Sequence, residues 1–238
     1  MSLTVAFPLY ESFDTLDVMG PLQAFLYAGW NSTLLAQTLD GVRSLEGVTV
    51  MPDDTFDTDT RFDILFVPGG ADVPSVLALG KRGDNPYLNF LARQAHGAKL
   101  VCSVCTGALL LGAAGLLDGR VATTHWAYHE VLQLFPCTVV PDYRRYVQSG
   151  NRVTGGGISS GIDEALYIIS TVSGVAAARR AQLAMQYNPQ PIVHCGDPSE
   201  PDLRDQPELP AEIKTQWQVA GTLEAFQQWL ATSAGASA

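Results

Sequence analysis

Apolar and polar residues alternate along this chain on two different periods. Leu3–Pro8, Ile64–Val67 and Lys99–Ser103 are short, largely apolar and β-leaning. The last two run without polar alternation, which suits strands covered on both faces. Ser32–Gln37 and Val48–Met51 read as further strands, and a β-rich section spans Cys137–Thr154. Between them lie helical stretches: one reaching about Tyr27 with Pro21 suited to its first turn, then Tyr87–Gln94, Ala108–Ala114, Ile162–Val172 and Ala176–Gln186. Ala108–Ala114 is too apolar for a surface helix and belongs in the core. Pro189–Pro210 is rich in proline and acid and reads as an extended surface segment. Glu212–Ala231 then reads as one final helix with Ile213, Trp217, Ala220 and Leu223 on one face. The alternation predicts an α/β fold, a mainly parallel central sheet flanked by helices. Residues 1–190 are expected to form the main domain, with 191–238 packed on it.

Composition narrows the class. At 238 residues, with 47% of them hydrophobic and 16% charged, the chain has material for a substantial core. A net charge of -10 without a Lys/Arg run disfavours nucleic acid. No apolar run approaches the length of a membrane span, and Met1–Val5 lacks a basic leader, so a cytoplasmic protein is expected. The four cysteines, at 102, 105, 137 and 195, then read as thiols rather than a disulfide framework.

The chemistry concentrates where strands end. In an open α/β sheet, reactive groups gather beyond the carboxyl ends of the strands. Asp17, Gly69-Gly70 and Cys105 all follow predicted strands. Cys105 falls between a buried strand and a buried helix, the setting in which a nucleophile is held on a tight bend. Amides of the following helix are expected to lower its thiol pKa. The amides of Thr106 and Gly70 are placed to hold developing negative charge, and the two glycines let backbone approach a ligand. An inert buried cysteine and a capping or solvated Asp17 are the competing readings. Cys102-Ser103-Val104-Cys105 has the spacing of a redox or zinc pair, but Cys102 lies inside the strand, and no second ligand pair is spaced for zinc. No metal is expected. Gly155-Gly156-Gly157 lacks a phosphate loop's lysine.

The run Ser103–Leu111, with Ala114–Arg120 and Ala122–Trp126, resembles the DJ-1/PfpI superfamily, and within it the isocyanide hydratase branch. Leu16-Asp17-Val18-Met19-Gly20-Pro21 is similar to that branch's acid motif. Thr154–Asp163 and Gln186–Pro191 match it too. The acid motif and the late glycine run also occur in amidotransferase-like domains of transcription regulators, but no DNA-binding helix pair follows here. The resemblance implies a flavodoxin-like sandwich, a homodimer, a small-molecule substrate and no cofactor. It also implies Cys105 as nucleophile, Asp17 as general acid, Thr106 as a neighbour placing substrate or water, and Gly156 and Ile158 as pocket lining. Trp126 and Tyr128 are further expected around the pocket. A histidine directly after the cysteine, usual in protease-like relatives, is replaced by Thr106, which disfavours a peptidase. His125 either approaches the thiol from another loop or packs beside Trp126; His129 and His194 are expected at the surface. Dicarbonyl chemistry of the glyoxalase or deglycase kind, and a non-catalytic sensor based on Cys105, remain the alternatives to isocyanide hydration.

Overall fold

The computed structural model describes residues 2–234. In chain order its elements are β1 (Thr4–Pro8), α1 (Thr15–Tyr27), β2 (Asn31–Ala36), β3 (Val42–Arg43), β4 (Thr49–Val50), β5 (Asp54–Thr55), β6 (Ile64–Val67), α2 (Val73–Ala78), α3 (Pro86–Ala95), β7 (Leu100–Ser103) and α4 (Gly107–Ala113). There follow β8 (Val121–Ala122), a 3-10 turn at Trp126–Tyr128, α5 (His129–Leu132), β9 (Thr138–Val139), β10 (Tyr146–Ser149), β11 (Arg152–Gly155), α6 (Ser160–Ser173) and α7 (Val175–Ala184). A 3-10 turn at Pro201–Asp205, α8 (Leu209–Gln216) and α9 (Val219–Ala234) complete the described chain.

Seven strands form the central sheet in the order β10-β11-β7-β6-β1-β2-β5. Every neighbour pair is parallel except β10 with β11. The α/β fold with a mainly parallel sheet is therefore as expected. The apolar runs explain the middle of the sheet: every residue of β6 and β7 is buried, as parallel strands roofed on both faces must be. One face carries Phe7, Phe25 and Phe66 in mutual ring contact. All seven residues of α4 are buried, so that segment is a core helix.

Four expectations need correcting. Pro21 lies in the interior of α1, whose N-cap is Asp14 rather than a residue just before Pro21. Proline there has no N–H to offer the carbonyl of Asp17 four residues earlier. The position is kept by packing: ideal Cβ atoms on Gly20 and Gly161 would meet Ile162 at 2.9 Å and Pro21 at 3.1 Å, so α1 and α6 interlock there. Val48–Met51 supplies only β4, which pairs with β3 outside the main sheet. The single final helix is two, α8 and α9, broken at Trp217-Gln218, where Gln218 takes a left-handed φ of 52°. The preceding segment is not wholly extended, since it contains the Pro201–Asp205 turn and the start of α8, with Pro210 in the first turn of that helix.

Candidate active site

The carboxyl ends of β11, β7, β6 and β1, four neighbours in the sheet, converge on one edge. After β7 the chain turns at Cys105, whose φ of 57° is left-handed, a strained conformation for a residue with a Cβ. Its N–H donates to the carbonyl of Gly156 at 2.7 Å, and its carbonyl accepts from Thr124 Oγ1 at 2.7 Å. The bend is thus clamped from β11 and from the loop after β8. After β6, Gly69 and Gly70 pass so close to neighbours that Cβ atoms would stand 2.6 Å from the Thr106 nitrogen and 2.3 Å from the Ser12 carbonyl oxygen. Gly107 likewise would press on the Val67 carbonyl oxygen at 2.3 Å. Glycine is required at these positions by space.

Asp17, in the first turn of α1, has no exposed surface. Gly69 N–H donates to its Oδ2 at 2.7 Å, while Oδ1 is buried without a partner. Burial pushes this carboxyl well above the usual range; Asp14 and Glu46 push the same way, and the Gly69 bond only partly offsets them. The Cys105 thiol is also raised, first by burial and then by the charge of Asp17. Amides of Ile158 and Thr106 at the sulfur pull back, but burial outweighs them. The expected lowering of the thiol by the following helix is therefore reversed. Each group disfavours ionisation of the other: burial and mutual repulsion both penalise a state in which the two are charged together.

Gly70 lines the same cleft as Cys105, but its N–H donates to Thr106 Oγ1 at 2.9 Å, and that hydroxyl donates back to the Gly70 carbonyl at 2.9 Å. The Gly70 amide is thus engaged, and the amide reaching the sulfur from across the site is that of Ile158. Gly156 acts through its backbone, holding the Cys105 N–H. Thr106 is buried and ties the Gly69-Gly70 bend to the cysteine turn.

His125 packs. Its ring lies 4.7 Å from that of Trp217 and 5.4 Å from that of Trp126, and Nδ1 accepts from the Ala127 N–H at 3.2 Å. Burial lowers its pKa to about 4, so it is neutral at ordinary pH. His129 is not at the surface as expected: it is half-buried, lies against Tyr143, and burial lowers its pKa. His194 is exposed.

A cleft of about 690 Å³ opens above Cys105 and Thr106, walled by Tyr128, Ile158, Pro74 and Trp217. Trp126 borders a separate cavity of about 150 Å³ behind Gly156. The sequence reading missed Glu164. This carboxyl is fully buried on α6, both oxygens lack partners, and burial with the charge of Asp17 raises its pKa well above normal. Room for it exists only because residue 155 is glycine, where a Cβ would stand 2.3 Å from Glu164 Oε2.

The sequence model described as the DJ-1/PfpI family matches residues 3–171. The chain belongs to the DJ-1/PfpI family. It is 40% identical over 199 residues to an isonitrile hydratase of Pseudomonas putida, covering 83% of this chain and 84% of that one. A ThiJ/PfpI family protein from Pseudomonas syringae superimposes with a TM-score of 0.83 at 32% identity, over 94% of this chain and 90% of the other. Drosophila melanogaster DJ-1beta shares the fold, with a TM-score of 0.70 at 19% identity over 79% of this chain and all of that chain. Every residue at the sheet edge lies inside the DJ-1/PfpI match; α8 and α9 lie beyond it. Among the described residues, no helix is long and apolar enough to cross a membrane.

Proposed function

We propose that this protein hydrates an isocyanide to an N-substituted formamide, with Cys105 as nucleophile and Asp17 as general acid and base. The observation that carries the reading is the pairing of a strained, buried cysteine with a buried carboxyl that keeps one oxygen free, in a chain 40% identical to an isonitrile hydratase. In the first step Asp17 takes the thiol proton as sulfur attacks the terminal isocyanide carbon. A carbon–sulfur bond forms, and Asp17 returns the proton to that carbon to give a thioimidate. Asp17, again a carboxylate, then removes a proton from water as the water oxygen adds to the same carbon. The carbon–sulfur bond breaks, the sulfur leaves protonated, and the product tautomerises to the formamide. The amides of Ile158 and Thr106 stabilise sulfur while it carries charge, and Thr106 orders the bend between sulfur and acid. No cofactor enters this scheme.

Burial penalises the charged form of both groups, which supports handing the proton from one to the other rather than releasing it to water. The engaged Gly70 amide and the neutral, packed His125 both disfavour an amidotransferase-like dyad. The enzyme is proposed to act in the cytoplasm as a homodimer; its free cysteines and the exposed apolar side chains of Leu183 and Ile192 are consistent with both.

The test is conversion of an aryl isocyanide to its formamide, followed by absorbance. Activity in wild type and its loss in Cys105→Ala and Asp17→Asn support the reading. Consumption of methylglyoxal without isocyanide turnover replaces it with dicarbonyl chemistry. Inactivity toward both, with selective peroxide oxidation of Cys105, replaces it with a sensor.

A further inference from the structure

The isocyano group is a narrow two-atom rod, whereas the cleft above Cys105 measures about 690 Å³, in the range of pockets that enclose drug-sized ligands. Most of that space is available to whatever substituent the isocyanide nitrogen carries. The far wall comes from the junction of α8 and α9, with Trp217, Gln218, Gly221 and Thr222 facing the cleft. The junction is a fixed kink: Gln218 is left-handed, Tyr128 Oη donates to the Trp217 carbonyl at 3.4 Å, and the Trp217 ring rests on His125. Lys214 reaches Glu130 at 3.4 Å on the outer side. Trp217 nevertheless keeps 37% of its surface exposed, a large apolar side chain offered to the cleft.

Charge adds a second constraint. Among the described residues, the charged ones lining the cleft are Asp14 and Asp72, and no lysine, arginine or histidine lines it. Asp14 is committed to capping α1, accepting from the Leu16 N–H at 2.9 Å. Asp72 precedes α2, makes no capping bond and is exposed at the cleft. It is a free carboxylate beside an apolar wall.

Resting on the hydratase reading, we propose that the α8–α9 junction makes this site selective for isocyanides on a large aromatic or cyclic substituent that is neutral or cationic, with Trp217 packing on the ring and Asp72 setting the charge preference. A carboxylate-bearing substituent meets two like charges and no counter-ion, whereas an ammonium meets Asp72 at the mouth and aromatic faces within.

The experiment compares kcat/KM for methyl isocyanide and three benzyl isocyanides carrying 4-isopropyl, 4-dimethylaminomethyl or 4-carboxy groups. The neutral and cationic benzyl compounds are expected to exceed the carboxylate roughly tenfold or more. Trp217→Ala is expected to cost the benzyl compounds about tenfold more than it costs methyl isocyanide, and Asp72→Asn to narrow the cation-over-carboxylate ratio several-fold. Equal rates for the three benzyl compounds overturn the proposal, as does a Trp217→Ala loss that falls on all substrates alike. A second readout needs no turnover: labelling of Cys105 by a cationic and an anionic methanethiosulfonate, followed by peptide mass spectrometry and scaled to a free thiol. A cation preference that Asp72→Asn reduces, found without turnover of any isocyanide, removes the hydratase reading while keeping the charge selectivity. Turnover with neither substrate preference nor labelling preference removes the proposal and keeps the hydratase reading.

Discussion

The sheet edge that carries Cys105 and the helical wall that faces it across the cleft are held by different means. At the edge, backbone meets backbone: Gly69, Gly70 and Gly107 sit where no side-chain carbon fits, and the Cys105 turn is clamped by the Gly156 carbonyl and the Thr124 hydroxyl. Across the cleft, α8 is held by side chains: a tilted ring contact with His125, one long hydrogen bond from Tyr128 and a half-exposed ion pair. The first construction tolerates almost no displacement, as atoms exchanging a proton require. The second can be altered by a single side chain while the first remains intact. On the proposed reading, reactivity and selectivity are carried by separable parts of one cleft.

The contrast is most severely tested at Gly70. Gly70→Ala would drive a methyl group into the Ser12 carbonyl, and we expect loss of more than about 3 kcal/mol of stability together with loss of activity, measured by denaturant unfolding and turnover. Asp17→Asn comes next. It keeps the fold and lowers kcat/KM by roughly 10²–10⁴, the usual range for one acid–base group.

Glu164→Gln sharpens the comparison from the other direction. The folded-state pKa of Glu164 is raised, so the native state binds more protons than the unfolded chain above the ordinary carboxyl range. Stability therefore falls as pH rises through that range, and the neutral amide escapes this loss. A higher melting temperature than wild type at pH 8, shrinking toward pH 5, is expected by calorimetry at several pH values. A gain independent of pH would mean the carboxyl is not held protonated. His125, with its pKa near 4, predicts no inflection at pH 6–7 in the rate profile, and one that disappears in His125→Gln would contradict its packed, neutral assignment. The smallest effect belongs to the outer wall: Lys214→Ala, which removes a partly exposed ion pair, should change stability by less than about 1 kcal/mol.

What could be read from the chain beforehand follows the same division. The strands flanking the cysteine were legible because both are unbroken apolar runs, and the cysteine stood out because it separates such a strand from an equally apolar helix. Asp17 was legible through its motif, though not its place inside a helix that continues past Pro21; the packing of Gly20 and Gly161 that permits this is a contact between distant segments. Glu164 left no trace, because an acid in a helical pattern ordinarily faces water and the space that buries it is an absence at position 155. The α8–α9 break was equally hidden. Trp217-Gln218 carries no glycine or proline, and the left-handed residue is fixed by what surrounds it. His129 was placed at the surface because nothing local announces Tyr143 as its neighbour.

The interlocking of α1 with α6 has a consequence for anyone recombining this chain with a relative. One helix bears the acid, and the other begins just after the residue whose amide meets the sulfur, so the joint at Gly20, Pro21, Gly161 and Ile162 sets their spacing. The two segments are about 140 residues apart in sequence, yet they form one heritable block. A crossover that takes residues 15–27 from one parent and 158–173 from another would assemble a joint that neither parent had refined. Chimeras that keep both segments from one source should retain activity more often than those that divide them.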